Sequence, residues 1–241
     1  MAIISAPHRE SHTPRRSPRA LIAALTVAAI LAAIGIVLAV RGGGPAGSGI
    51  QGSGVAATQT RTIARFSSLE LAGSSNVTVR VGPTQSVAVH ADSNLISHVT
   101  THVVAGTLVI SDTGSFTTKT PMSVEVSVPS LTMLNLSGSG RLSVTGIKAP
   151  HLTVAVSGSG LLYATGTATR LDVTVSGNGL AQLSQLTASQ VHAVVTGSGL
   201  IQVTATTSLD AAVPGTGAIV YNGNPSQVTS SVTGAGTVTR G

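Results

Sequence analysis

Asp172, His192 and Asp210 stand four residues ahead of successive copies of a glycine signature, and their types suit chemistry. Stacked on neighbouring rungs of a repeat, a histidine between two carboxylates would keep its proton to higher pH. Such a trio could ligate a divalent metal or exchange protons with a substrate. The column continues as Thr153 and Thr229, and it reads equally as a solvated ladder of charges, worth about 0.2–1 kcal/mol per pair. No second catalytic group accompanies it in register, so no catalytic residue, metal ligand or cofactor-binding residue is assigned. The trio stands as a candidate ligand face. His98 and His102 have the spacing of metal ligands on one helix face. The segment between them lacks the glutamate of a zinc-protease motif, and its β-branched residues disfavour a helix.

A second candidate face is apolar. Leu161, Leu180 and Leu200 each follow a signature glycine by one residue, with Tyr163 two residues beyond Leu161. Their parity is opposite to that of the core, so they would form an outward stripe of the kind that binds partners or a second copy. The alternative is a corner that folds these side chains over the coil.

What positions both faces is a repeat. Ser/Thr/Pro-Gly-x-Gly begins at Ser137, Ser157, Ser176, Thr196, Pro214 and Thr233, at intervals of 20, 19, 20, 18 and 19 residues. Its glycines are Gly138 and Gly140, Gly158 and Gly160, Gly177 and Gly179, Gly197 and Gly199, Gly215 and Gly217, and Gly234 and Gly236. Two residues after each second glycine stand Leu142, Leu162, Ala181, Ile201, Ile219 and Val238; four residues after it stand Val144, Ala164, Leu183, Val203 and Tyr221, until Arg240 breaks the column. A second alternating run precedes each signature, as in Leu152-Val154-Val156 and Leu171-Val173-Val175. Period-2 alternation marks strands with one buried face, and a fixed period of this length marks a solenoid. The expected fold is all-β, a right-handed parallel β-helix (β-solenoid) of about six rungs, with two short strands per repeat.

The corner glycines would serve either positive φ or close approach of stacked backbones. Ser139, Ser159, Asn178, Ser198 and Thr216 would then form a polar ladder. Phosphate binding by these glycines is disfavoured, because strands rather than a helix N-terminus follow them.

The chain of 241 residues has no Cys, no Trp and four aromatic residues, Phe66, Phe116, Tyr163 and Tyr221. Residues 1–41 hold five Arg against Glu10, whereas residues 42–241 hold eight Arg or Lys against six Asp or Glu. That near-neutral remainder has neither basic clusters nor stacking aromatics, which argues against nucleic-acid binding. Residues 20–40 are uncharged and apolar, long enough to cross a bilayer as a helix of about 31 Å. Arg9, Arg15, Arg16 and Arg19 precede the span. The positive-inside rule therefore puts the N-terminus in the cytoplasm and the rest outside, periplasmic or on the cell surface. The span exceeds the usual length of a cleaved signal's apolar region, which favours a single-pass signal anchor. The expected organisation is a basic cytoplasmic tail (1–19), a transmembrane anchor (20–40), a Gly/Ser/Pro linker (41–54), irregular capping β coils (55–136) and regular β-helix repeats (137–241). A short helical turn over 93–100, capped by Asp92 or Ser93, fits the irregular part.

The stretches FSSLELAGSSNVTVRVG, VHADSNLISHV, GTLVIS and VEVSVPSLTMLNLSGSG, the SGSG corners and the closing YNGNPSQVTSSVTGAGTV resemble the bacterial putative auto-transporter adhesin family with a head GIN domain. The resemblance covers about residues 63–240. It implies an exported or surface β-helical domain with an adhesive role, and it supplies no catalytic residues. No segment looks like an autotransporter barrel. The sequence thus points to a membrane-anchored, non-enzymatic envelope domain that binds a cell-surface glycan or protein. The rivals are a structural or sensory domain that forms homo-oligomers, and a polysaccharide-active enzyme that uses the Asp172–His192–Asp210 column.

Overall fold

A computed structural model describes residues 49–241. The alternating runs become strands β1 (Ile50–Gln51), β2 (Ala56–Thr60), β3 (Ser68–Leu71), β4 (Asn76–Val81), β5 (Ser86–Asp92), β6 (Val99–Val104), β7 (Thr107–Asp112), β8 (Phe116–Thr117), β9 (Ser123–Val128) and β10 (Met133–Leu136). Four long bent strands follow, β11 (Arg141–Val156), β12 (Leu161–Val175), β13 (Leu180–Val195) and β14 (Leu200–Val213), and then β15 (Ala218–Asn222), β16 (Gln227–Val232) and β17 (Thr237–Arg240). From β10 onward every pairing is parallel and joins each coil to the next. The fold is an all-β solenoid whose six signature corners bound about five turns.

Each long strand is one coil, and it has three sides rather than two. After the corner comes a first side (Arg141–Val144 in β11), and the last side runs into the next corner (Leu152–Val156). Between them Ile147, Lys148 and Ala149 pair with Gly166, Thr167 and Ala168 of the next coil, and these pair with Leu186, Thr187 and Ala188. Ile147, Leu186, Ala188 and Ala205 of this short side are buried. The sequence does not reveal it, because its two or three residues show no sustained alternation. The variation in repeat length also falls here, as register shifts between Val144 and Ile147, Tyr163 and Thr165, and Leu183 and Thr187. The three inward ladders, Leu142 to Ile219 and Leu152 to Val213 among them, fill a narrow interior of branched aliphatics.

Of the two uses open to the corner glycines, close approach is the one realised. None of the twelve has a positive φ; among the described residues the positive-φ glycines are elsewhere, at Gly54, Gly106, Gly114, Gly146, Gly166 and Gly223. A Cβ on Gly158 would fall on the carbonyl oxygen of Gly138, and one on Gly160 would meet the Gly140 carbonyl and the Leu136 side chain. Stacked coils are about 4.8 Å apart, which leaves no room for a methyl group between two corner backbones.

The N-terminal part closes the first end of the stack by a path that departs from chain order. β3 and β4 form one coil, and β10 and the first side of β11 lie on its upper edge. On its lower edge lie β7 against β3 and β9 against β4, both parallel, although they follow in sequence. β6 then pairs antiparallel with β7 through a turn at Ala105 and Gly106 (φ 48° and 75°), β5 pairs antiparallel with β9, and β2 with β5. A 3-10 turn spans Ile96–His98; its cap position is Leu95, with no side-chain hydrogen bond from Asp92 or Ser93.

Asp92 instead closes the segment that enters the domain. Its carboxylate is inaccessible to solvent and accepts hydrogen bonds from the backbone N–H of Gly54, Lys119 and Thr120. Ile50 and Gln51 of β1 pair with Phe116 and Thr117 of β8. The described residues of the Gly/Ser stretch read as a linker are therefore docked from Gly49 onward. The expected tail and transmembrane span, residues 1–40, lie outside the described residues; among those described, no helix is long and apolar enough to cross a membrane.

At the far end the inward side chains Val228 and Val232 of β16 are 46% and 43% exposed. Arg240, at the position that broke the inward column, donates to the carbonyl of Gly223 at 2.8 Å and to Asn224 Oδ1 at 3.3 Å.

Candidate functional site

Regular stacking converts sequence columns into rows of neighbours. Thr153, Asp172, His192, Asp210 and Thr229 are direct cross-coil partners on the outer surface of the last side. Their side chains are not shared evenly. His192 Nδ1 lies 3.1 Å from Asp210 Oδ2, whereas Asp172 is held by Arg170 (NH2 to Oδ1 2.9 Å, Nε to Oδ2 3.1 Å) and by His151 Nε2 at 2.7 Å. Partial burial of Asp172 opposes its charged form, but the hydrogen bonds and positive charge of Arg170 and His151 outweigh that and hold its carboxyl below the ordinary range.

Arg170 and His151 escaped the sequence reading because they stand one outward position earlier, in the row His151, Arg170, Gln190, Ser208, Gln227. Extending the column by two residues would have found them. Between the two rows runs a cleft of about 290 Å³, lined by Arg170, Gln190, His192, Asp210, Gln227 and Thr229 among others. Its charged groups are already engaged, Arg170 with Asp172 and His192 with Asp210, which suits stacking more than turnover. Among the described residues no three His, Asp or Glu side chains converge as metal ligands would. His98 ends the 3-10 turn with Nδ1 on the Thr113 carbonyl at 3.0 Å, and His102 lies in β6, so they share no helix face.

Leu161, Leu180 and Leu200 are direct partners in a row that runs from Arg141 to Ala218. They are half-buried, not fully exposed. A shallow groove of about 400 Å³ crosses several coils beside them. Its lining combines Ser139, Ser159 and Asn178, the corner glycines Gly140 and Gly160, and the side chains of Leu161 and Leu180.

The out-of-order cap, the glycine corners and the three-sided coil together define the domain for comparison. A family model described as putative auto-transporter adhesin, head GIN domain, matches residues 65–225. The chain belongs to this head GIN domain family. A putative adhesin from Bacteroides fragilis is similar at 22% identity and a TM-score of 0.67, covering 80% of this chain and 100% of its own. A putative adhesin and a putative lipid binding protein, both from Parabacteroides distasonis, are each 23% identical, with TM-scores of 0.53 and 0.51. Each covers 80% of this chain and 99% of its own. At such identities the likeness is one of fold. No curated protein matches the chain. Asp172, His192, Asp210, Leu161, Leu180 and Leu200 of the head GIN domain fall within the matched residues, and β16 and β17 lie beyond them.

Proposed function

We propose that this head GIN domain is a non-enzymatic binding module of the cell envelope, displayed outside the cytoplasm on an anchor formed by residues 20–40. The observation that carries this reading is the in-register repetition of outward side chains, Arg141, Leu161, Leu180, Leu200 and Ala218 being successive direct partners. A rigid face with one similar side-chain set per coil favours ligands that are themselves repetitive, because weak contacts add along the stack. The family description and the neighbours named as adhesins support an exported, surface-directed role. The pairing of Asp172 with Arg170 and His151, and of Asp210 with His192, weighs against a hydrolase, whose acid and base would have to meet a substrate.

The test is binding of the full chain, purified in detergent, to whole cells and to an array of glycans and surface proteins. Saturable binding lost on changing one outward row supports the reading; no binding to any of these removes it. A second reading, self-association, is favoured by the half-exposed Val228 and Val232 on an edge strand with no partner on its far side among the described residues. Concentration-dependent oligomers abolished by Val232→Glu, without cell binding, would select it.

A further inference from the structure

The groove beside the glycine corners has a composition that specifies a ligand class, and this step rests on the binding-module reading above. Three properties act together. First, backbone pairing with the lining is closed: Leu161 N donates to the Gly140 carbonyl, Gly179 N to Gly158 and Leu180 N to Gly160. An extended peptide therefore has no free edge to augment there. Second, the lining offers unengaged side-chain groups. Further along the ladder the Ser198 and Thr216 hydroxyls bond each other at 2.8 Å. Ser139, Ser159 and Asn178, which line the groove, are exposed and make no side-chain hydrogen bond among the described residues. They can donate and accept, as hydroxyl-rich ligands require.

Third, half-buried Leu161 and Leu180 add an apolar patch to the same lining. A pyranose has one C–H face and a rim of hydroxyls, which match a lining that combines apolar and hydroxyl-bearing side chains. The sole charged lining residue is Arg141, which forms no ion pair among the described residues. The Asp112 carboxylate near the first corner is already engaged by Ser74 and Ser75, and it does not line the groove. One unneutralised guanidinium selects a ligand with single negative charges, and its planar fork matches a carboxylate.

We propose that this groove holds a linear, carboxylate-bearing polysaccharide, laid along the stack with Arg141 on an acid group and Ser139, Ser159 and Asn178 on successive hydroxyls.

The experiment measures binding of the full chain to polygalacturonate and to the same polymer after reduction of its carboxyl groups, by calorimetry at two salt concentrations. Expected are saturable binding to the acidic polymer that weakens with salt, and at least tenfold weaker binding to the reduced one. Arg141→Gln and Asn178→Asp, both exposed changes, should each weaken binding about tenfold, with the melting temperature unchanged. Equal binding of the two polymers, or no response to either variant, overturns the groove. Binding to intact cells that survives both variants overturns the groove and leaves the binding-module reading standing. Absence of binding to cells and to polymer overturns both.

Discussion

The corner glycines separate two uses of one residue type, and a pair of substitutions tests the distinction. At Gly160 a methyl group would collide with the Gly140 carbonyl and Leu136 and force two coils apart; at Gly106, with φ at 75°, nothing lies within 4 Å of the added atom. Gly160→Ala should cost roughly 3 kcal/mol, as overpacking of a core does. Gly106→Ala should cost only the left-handed penalty of about 1 kcal/mol. Equal losses in denaturant titrations would refute the close-approach account. The acid limb of stability belongs to this scale too. Burial raises the pKa of Asp92, but the N–H donors of Lys119, Thr120 and Gly54 outweigh it, so Asp92, like Asp172, is lowered from its usual 3.8. Groups depressed in the folded state stabilise it above the unfolded value and lose that contribution as pH falls through the folded one. The melting temperature should thus fall steeply below about pH 4, and Asp92→Asn should flatten that fall while lowering the plateau above it. The glycine column was plain in the sequence; its cause was not, because sequence spacing does not report φ. The sequence offers Asp92 or Ser93 as a cap for a short helical turn, whereas the partners of Asp92 lie 38, 27 and 28 residues away.

Among the elements, the third side of the coil shows what periodicity can and cannot reveal. The first and last sides were legible because four or five residues alternate in every repeat, enough for the eye to align six copies. The third carries one or two inward residues per coil, with Gly166 standing between Ile147 and Leu186 in the same row. Leu186 is fully buried, whereas Leu180, on the first side of the same coil, is half-buried. Leu186→Ala should therefore destabilise by roughly 3 kcal/mol, in the range of core truncations. Leu180→Ala should cost about 1 kcal/mol or less, given its partial exposure. Chemical denaturation of the two variants distinguishes a three-sided core from a two-sided one, in which Leu186 would sit in a surface loop. The Asp172 row shows the complementary limit: its register followed from the repeat, but the choice of Arg170 and His151 as partners depends on side-chain reach across rows.

At the scale of the whole domain, the repeats behave as nearest neighbours, but the first coils do not. The strand β9 lies between β4 and β5, which precede it in sequence, and β7 lies beneath β3. A solenoid of identical coils can begin anywhere and extend both ways; this one has a start that is incomplete until Val128 has been made. Chains ending at Asp112 should remain protease-sensitive throughout, whereas chains ending at Val175 should already protect residues 68–156. Limited proteolysis of such truncations reads this directly, and protection of the shorter chain would contradict it. For a domain that leaves the proposed anchor from residue 41 onward, the consequence is a built-in delay: everything up to Val128 must arrive before any of it can lock, and each later coil then crystallises onto a finished seed in one direction only.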